Sequence, residues 1–136
     1  MKTTLQAGIA ARREFPVDAA RTIDFMGEDA RVYATPMLVR DIEVTCRELL
    51  LAHLDPGEDS VGTRVEIDHL AASLLGMQVT LTATLAELKG RVALFEVSAT
   101  DGVDTICRGR HTRFIASIEQ VKQRLKQKQA KAQVPA

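Results

Sequence analysis

Residues 35–54, TPMLVRDIEVTCRELLLAHL, decide the fold of this chain. Thr35 followed by Pro36 is typical of a helix start, because a threonine N-cap satisfies a free backbone amide and proline presets the first turn. The sequence therefore predicts one long helix that runs to about the end of this stretch. Asp55-Pro56-Gly57 follows, and these turn formers do not continue a helix.

An alternating pattern replaces the helical one from Val61 onward and indicates a sheet. It is clearest in residues 79–88, VTLTATLAEL, where most odd-numbered positions are apolar, as in a strand with one buried face. Lys89-Gly90 and Asp101-Gly102 are hairpin signals. The strands predicted from these signals are 79–88, 92–100 and about 104–117.

The N-terminal residues give weaker signals. Residues 5–15 are predicted as a strand, and Asp18 as the N-cap of a short helix between residues 16 and 26. One long helix placed before a series of antiparallel strands predicts an α+β fold in which an antiparallel sheet wraps around one central helix. Such a helix can cover the single apolar face of a curved sheet, and this is the hot-dog arrangement.

Charge and hydropathy exclude several classes of partner. The 18 Lys and Arg residues balance the 18 Asp and Glu residues, so we expect no nucleic acid partner. No stretch approaches the roughly 20 apolar residues of a membrane span, and we expect a cytoplasmic protein without a membrane partner. Cys46 and Cys107 are far apart and lack metal-ligand spacing, which predicts free thiols and no metal site.

The chain has the length of one domain, which we place at residues 1–120. Residues 121–136 form a basic tail rich in Lys and Gln. Such a tail is expected to be solvated, and the alternative is a contact with an anionic ligand.

Glu43 is the first candidate for chemistry. It shares a helix face with Val39, Cys46 and Leu50, at spacings of four, three and four residues. A carboxylate in such an apolar stripe needs a partner, and carboxylates of this kind are common among general bases and nucleophiles. In the plainer interpretation Glu43 lies at the edge of the stripe and reaches solvent or Arg47.

Thr35 and His69 are the other candidates. Thr35 is needed as a cap, yet a helix N-terminus also offers free amides and a positive dipole end, which suit an oxyanion. His69 lies on a predicted strand, either as a packed, hydrogen-bonded residue or as a base. His53 and His111 have weaker claims, and His53 can simply complement the helix dipole.

The candidates occur in an order and spacing that resembles the fluoroacetyl-CoA thioesterase-like family of hot-dog thioesterases. The resemblance covers about residues 30–116. It rests on Tyr33-Ala34-Thr35, Glu43, PGEDSVGT at 56–63, HLAA at 69–72 with Gly76, and DGVD at 101–104 with Gly109 and His111. It implies a homodimeric hydrolase without a cofactor that converts a small acyl-CoA to free acid and CoA.

The resemblance also implies roles for single residues. It carries a catalytic set onto Thr35, Glu43 and His69, and a substrate-binding glycine onto Gly76. His69 is then the main proton-transfer group, Glu43 a nucleophile or water-activating base, and Thr35 a nucleophile or orienting donor. The covalent and water-attack routes both stay open.

Three departures from the family pattern surround the expected pocket. Pro36 stands where the fluoroacetyl enzyme has glycine, Val44 where it has tryptophan, and Ser73-Leu74-Leu75 where it has Thr-Pro-Pro. We therefore expect that specificity for the fluoroacetyl group is not shared.

The spacing of the helix candidates predicts their separation. Eight residues between Thr35 and Glu43 correspond to a rise of about 12 Å, so direct contact within one chain is not expected. A two-fold dimer that brings the helix start of one subunit beside the sheet of the other would solve this.

Other functions are compatible with the same fold. One is a non-catalytic module that binds or senses acyl-CoA. A second is an acyl-CoA hydratase, but its Asp/His pair is not found in this sequence. A third is a protein-interaction domain that uses residues 122–131 as a docking helix.

Overall fold

The structure is a computed structural model that describes residues 1–133 and 135. The strands are β1 (Ala10–Pro16), β2 (Thr22–Ile23), β3 (Val32–Tyr33), β4 (Glu58–His69), β5 (Gln78–Lys89), β6 (Val92–Thr100) and β7 (Thr105–Ser117). The helices are α1 (Thr35–Leu51) and α2 (Ile118–Ala132). Five strands form one antiparallel sheet in the order β1-β5-β6-β7-β4, and β2 pairs with β3 separately.

The core lies between α1 and the inner face of the sheet. Leu38, Ile42, Cys46 and Leu50 recur every four residues along α1, and all are fully buried, as expected for the apolar stripe of an amphipathic helix. The sheet contributes the alternating residues of β5. These are Val79, Leu81, Ala83 and Leu85, each with no exposed surface. The predicted hot-dog arrangement, one long helix against an antiparallel sheet, is confirmed.

The prediction of Thr35 as the N-cap is wrong. Ala34 occupies the cap position with an extended backbone, and Thr35 is the first helical residue. The Thr35 hydroxyl is engaged by a side chain from β4 instead. The helix also ends at Leu51, because the last turn tightens: the N–H of His53 donates to the carbonyl of Leu50 at 2.8 Å.

The N-terminal elements differ from prediction in their bounds. β1 begins at Ala10 rather than at residue 5, and Leu5 packs into the core without joining a strand. The predicted short helix is a single 3-10 turn, Ala19–Arg21, capped as expected by the Asp18 carboxylate, which accepts the Arg21 N–H. The two residues after this turn, Thr22 and Ile23, form β2 instead of continuing a helix.

Sequence reasoning placed the start of the sheet too late and left the C-terminal helix undecided. β4 begins at Glu58 rather than at Val61. The basic tail is helical from Ile118 to Ala132, and none of these described residues is buried. Of the predicted tail, residues 134 and 136 lie outside the described residues.

The edge strand β4 is less covered than the rest of the sheet. Directly paired residues of antiparallel strands point to the same face, so Val65, which pairs with the buried His111, points to the inner face. Val65 is nevertheless 36% exposed. A register shift between Gly62 and Arg64 bends the strand here.

None of the helices in the described part of the chain is long and apolar enough to cross a membrane. Cys46 and Cys107 are both buried free thiols, as predicted. Burial raises the pKa of Cys46 to about 12 and that of Cys107 to about 11, so neither is a reactive thiolate at neutral pH.

The division of the sheet into two faces can be tested at adjacent residues of β5. We expect Leu81→Ala to lower the free energy of unfolding by about 2–5 kcal/mol, because it empties a packed site under α1. Thr82→Ala, on the half-buried outer face, should cost less than about 1 kcal/mol. Urea denaturation measures both values, and equal losses would contradict the assignment of faces.

Candidate active site

The structure brings Thr35 and His69 into direct contact. Thr35 is the first residue of α1 and His69 the last residue of β4. The chain reverses between these elements, so the end of β4 returns to the start of α1. The Thr35 Oγ1 lies 2.7 Å from the His69 Nδ1, a hydrogen bond. A hydroxyl held against an imidazole nitrogen is the geometry of an activated nucleophile with its base.

The surroundings of His69 favour its neutral form. Burial lowers the pKa of His69 below its usual value, so the ring is mainly unprotonated at neutral pH and can accept a proton. Its Nε2 is buried and has no hydrogen-bond partner among the described residues. The Tyr33 ring packs edge-on against the imidazole, with 6.2 Å between the ring centroids. One ring nitrogen of His69 therefore contacts the Thr35 hydroxyl, and the other has no partner among the described residues.

An open cavity of about 310 Å³ adjoins this pair. Its lining residues are Ile23, Val32, Tyr33, Thr35, His69, Leu70, Ala71 and Ala72. Apart from the hydroxyls and the imidazole, these side chains are apolar. Such a lining suits a small, uncharged group next to the Thr35 hydroxyl.

A buried ion pair fixes the wall of this cavity. Asp41 on α1 is only 1% exposed. Its carboxylate accepts hydrogen bonds from the Arg21 Nε at 2.9 Å, the Arg21 Nη2 at 3.2 Å and the Tyr33 hydroxyl at 2.6 Å. Burial and the hydrogen bond to Asp41 raise the pKa of Tyr33. The pair attaches the segment before α1 to the helix and so positions Thr35.

Glu43 lies elsewhere on α1, over the sheet, and is half-buried. A Cβ added at Gly62 would lie 2.5 Å from the Glu43 Oε1, so this carboxylate sits directly above the glycine. Arg47 does not serve Glu43, because its guanidinium binds Asp59 at 2.8 and 3.0 Å. Among the described residues no hydrogen bond joins Glu43 to the Thr35–His69 pair, consistent with the separation expected within one chain.

A buried polar network lies beside Glu43. Arg113 is 4% exposed and donates to the Ser60 hydroxyl at 2.7 Å and the Ser60 carbonyl at 2.9 Å. His111 donates from Nδ1 to the Arg64 carbonyl at 2.8 Å and accepts from the Arg113 Nη1 at 3.1 Å. Burial lowers the pKa of both His111 and Arg113. Both ring nitrogens of His111 are therefore used structurally.

Sequence reasoning missed Gly62 and Arg113. The alternation of β7 contained a signal for Arg113, because it shares a face with Ile115 and His111, both fully buried. Gly62 lies within the stretch 56–63 that carries the family resemblance, but no role was predicted for it, since the requirement for glycine comes from the Glu43 carboxylate above it.

Gly76 lies apart from the cavity lining. It sits in a tight turn with a φ of +94°, which favours glycine. Its N–H donates to the Val17 carbonyl at 2.8 Å, so that amide is not free to bind a substrate oxygen. The role of Gly76 in substrate binding stays a prediction.

The start of α1 offers fewer free amides than expected. Pro36 has no N–H, and the N–H groups of Met37 and Leu38 both donate to the Ala34 carbonyl at 3.0 Å.

Among the described residues no group of three potential metal ligands occurs.

Comparison with known proteins identifies relatives of this chain. The profile of the family described as fluoroacetyl-CoA-specific thioesterase matches residues 17–119. The fluoroacetyl-CoA thioesterase of Streptantibioticus cattleyicolor is 33% identical over 135 residues, which cover 94% of this chain and 97% of that enzyme.

Solved structures of thioesterases are also similar to this chain. A mutant of a fluoroacetyl-CoA-specific thioesterase, crystallised with fluoroacetate and CoA, is 33% identical with a TM-score of 0.79 and covers 86% of this chain and 99% of its own. A thioesterase superfamily member from Thermus thermophilus is 28% identical with a TM-score of 0.88 and covers 98% of this chain and 99% of its own.

His111 can be tested as a structural residue. We expect His111→Ala to lower the free energy of unfolding by about 1–3 kcal/mol, because the Arg64 carbonyl and an Arg113 N–H lose their partner. His53→Ala is the control and should cost less than about 1 kcal/mol, since its bond to Thr4 is exposed. Chemical denaturation measures both, and a His111→Ala protein as stable as the control would contradict the structural role.

Proposed function

The chain belongs to the fluoroacetyl-CoA-specific thioesterase family and is a hydrolase of acyl-CoA thioesters, and we propose that Thr35 and His69 form the centre of its active site. The observation that carries this proposal is the 2.7 Å contact between the Thr35 Oγ1 and the His69 Nδ1. Burial that keeps His69 unprotonated supports it.

In the proposed reaction His69 acts as base and then as acid. Its Nδ1 takes the proton of the Thr35 hydroxyl while the oxygen attacks the thioester carbonyl, forming a tetrahedral intermediate. The C–S bond then breaks, CoA leaves with the proton from His69, and an acyl-threonine remains. Water, activated by the same imidazole, hydrolyses this ester to free acid and restores Thr35. In the alternative route Glu43 activates water for direct attack on the thioester.

Glu43 joins this site most simply through a second subunit. Its carboxylate lies above Gly62 in the edge strand β4, away from the Thr35 of its own chain. We place the two-fold axis at this edge and perpendicular to the sheet, so that the β4 strands of two copies pair antiparallel. Such pairing satisfies the free backbone groups of an edge strand and covers the exposed inner-face Val65. It also brings Glu43 of each subunit toward the partner site.

The substrate is a small acyl-CoA whose acyl group suits an apolar cavity. Ile23, Leu70 and Ala71 line the space beside Thr35, and Pro36 and Val44 depart from the fluoroacetyl pattern. Preference for the fluoroacetyl group therefore does not follow from family membership. CoA thioesters and two free cysteines are compatible with the reducing cytoplasm, where we place the protein.

The assignment of His69 is tested by turnover and stability together. We expect His69→Ala to lower kcat/KM for a panel of short acyl-CoA substrates by about 10²- to 10⁴-fold, the typical value of a positioned general base. The thermal midpoint should stay near that of the wild type. Release of free thiol measures turnover, and His53→Ala is the control that retains activity.

Two results would contradict this assignment. Near-normal turnover by folded His69→Ala protein would remove the imidazole from the mechanism. Parallel loss of activity and thermal midpoint would give His69 a packing role. Binding of acyl-CoA without turnover by the wild-type protein would instead indicate a sensing module.

The proposed dimer is tested at Val65. We expect Val65→Lys to shift the protein from dimer to monomer in sedimentation equilibrium and to reduce activity, because a charge on an edge strand opposes pairing. Val92→Lys is the matched control, since Val92 is 42% exposed at the β5–β6 hairpin, away from the β4 edge. A monomer that keeps full activity would contradict the dimeric site.

A further inference from the structure

The helix α2 carries a concentration of positive charge that the fold does not use. Its basic residues are Lys122, Arg124, Lys126, Lys128 and Lys131, and its one acidic residue is Glu119. None of its residues, all within the described part of the chain, is buried. The protein as a whole has a formal net charge of zero, so this charge is local.

The basic side chains of α2 are also unpaired. Within the described residues no ion pair involves a basic residue of α2. By contrast, Lys89 and Arg91 on the neighbouring hairpin contact Glu87 and Glu58 at 3.2 and 3.4 Å. Unpaired Lys and Arg side chains on one short helix are well suited to phosphate groups, which they bind through charge-assisted hydrogen bonds.

The position of α2 separates it from the active site of its own chain. The helix begins after Ser117, which pairs with Glu58 at the start of β4, and the Ile118 N–H donates to the Gly57 carbonyl at 2.9 Å. His69 is at the opposite end of β4. Eleven residue steps along a strand span roughly 36 Å at about 3.3 Å each. The first turn of α2 is therefore too far away to serve its own Thr35–His69 pair.

The proposed dimer changes this relation, and the inference rests on it. When two β4 strands pair antiparallel, the start of each lies beside the end of the other. The α2 of one subunit then begins near the His69 of its partner. With a length of about 22 Å at 1.5 Å per residue, it is long enough to reach from there to the mouth of the partner cavity.

We propose that α2 of each subunit binds the phosphates of the CoA that occupies the active site of the other subunit. The thioester lies at Thr35 and His69, and the flexible pantetheine arm leads out of the cavity to the nucleotide. Lys122 and Lys126, four residues apart, share one face of the helix and present two ammonium groups together. Glu58 and Asp59 lie close to Lys122, but they are already paired with Arg91 and Arg47. The five basic residues of α2 therefore outnumber its one acidic residue, and α2 selects CoA thioesters over thioesters without phosphates.

A charge-neutralised variant tests whether α2 binds the phosphates of CoA. We expect K122Q/R124Q/K126Q to raise KM for an acyl-CoA about tenfold with little change in kcat, since exposed charge contacts contribute modestly one by one. The same acyl group on N-acetylcysteamine, which lacks phosphates, should be hydrolysed as by the wild type. The KM difference should shrink at high salt. Lys89→Gln is the control for loss of an exposed lysine.

Calorimetry with CoA measures binding by α2 independently of thioester hydrolysis. The variant should bind CoA about tenfold more weakly than the wild type, and this readout needs no turnover. Equal KM values for acyl-CoA, or equal CoA affinities, would overturn the assignment of α2. An equal loss with the phosphate-free thioester would overturn it too, because the effect would then not arise from the phosphates.

A mixed dimer tests which subunit supplies the helix. In a heterodimer of the charge-neutralised chain with a His69→Ala chain, the active His69 belongs to the first chain and faces the normal α2 of the second. We expect KM to return to the wild-type value. A KM that stays raised would overturn the assignment to the partner. Sedimentation of the wild-type protein as a monomer would overturn the proposed dimer itself, before any kinetic result is considered.

Discussion

The packing of α1 against the inner face of the sheet is the interaction on which the rest of the structure depends. A single apolar stripe, repeated every four residues from Leu38 to Leu50, covers the alternating apolar residues of β5. Because this one helix supplies the cover, its start and end are fixed relative to every strand. The contact between Thr35 at the helix start and His69 at the end of β4 is a result of that placement.

The buried polar side chains around α1 include Asp41, His111 and Arg113, and each of these three is satisfied in its own way. Asp41 is neutralised by Arg21 and bonded by Tyr33, while Arg113 and His111 bond to each other and to the β4 backbone. Buried polar groups without partners are costly, so these networks restrict how α1 and β4 can sit. The precision needed for the chemistry that we propose at Thr35 follows from this restriction, since the hydroxyl is on the helix and the imidazole on the strand.

In the single chain, several edge, apolar and charged groups nevertheless have no partner among the described residues. The strand β4 has a free edge, Val65 points to the inner face yet is exposed, and the charges of α2 have no partners in the described chain. The half-buried Glu43 stands over this same edge. The antiparallel pairing of two copies that we propose would account for all of these features together, and this is why we place the complete site at a dimer interface.

The sequence by itself determined the fold class, the central helix and most of the strands, because hydrophobic periodicity is a local property that each segment carries alone. It also selected Thr35 and His69 as candidates through their spacing and family resemblance. It misjudged the hydroxyl of Thr35 as a cap, since only the folded chain brings His69 close enough to bind it. The burial of Arg113, the close approach of the Glu43 carboxylate to Gly62, and the hydrogen-bonded amide of Gly76 were likewise decided by tertiary structure. Such contacts join residues distant in the chain, and no local pattern of charge or hydropathy encodes them.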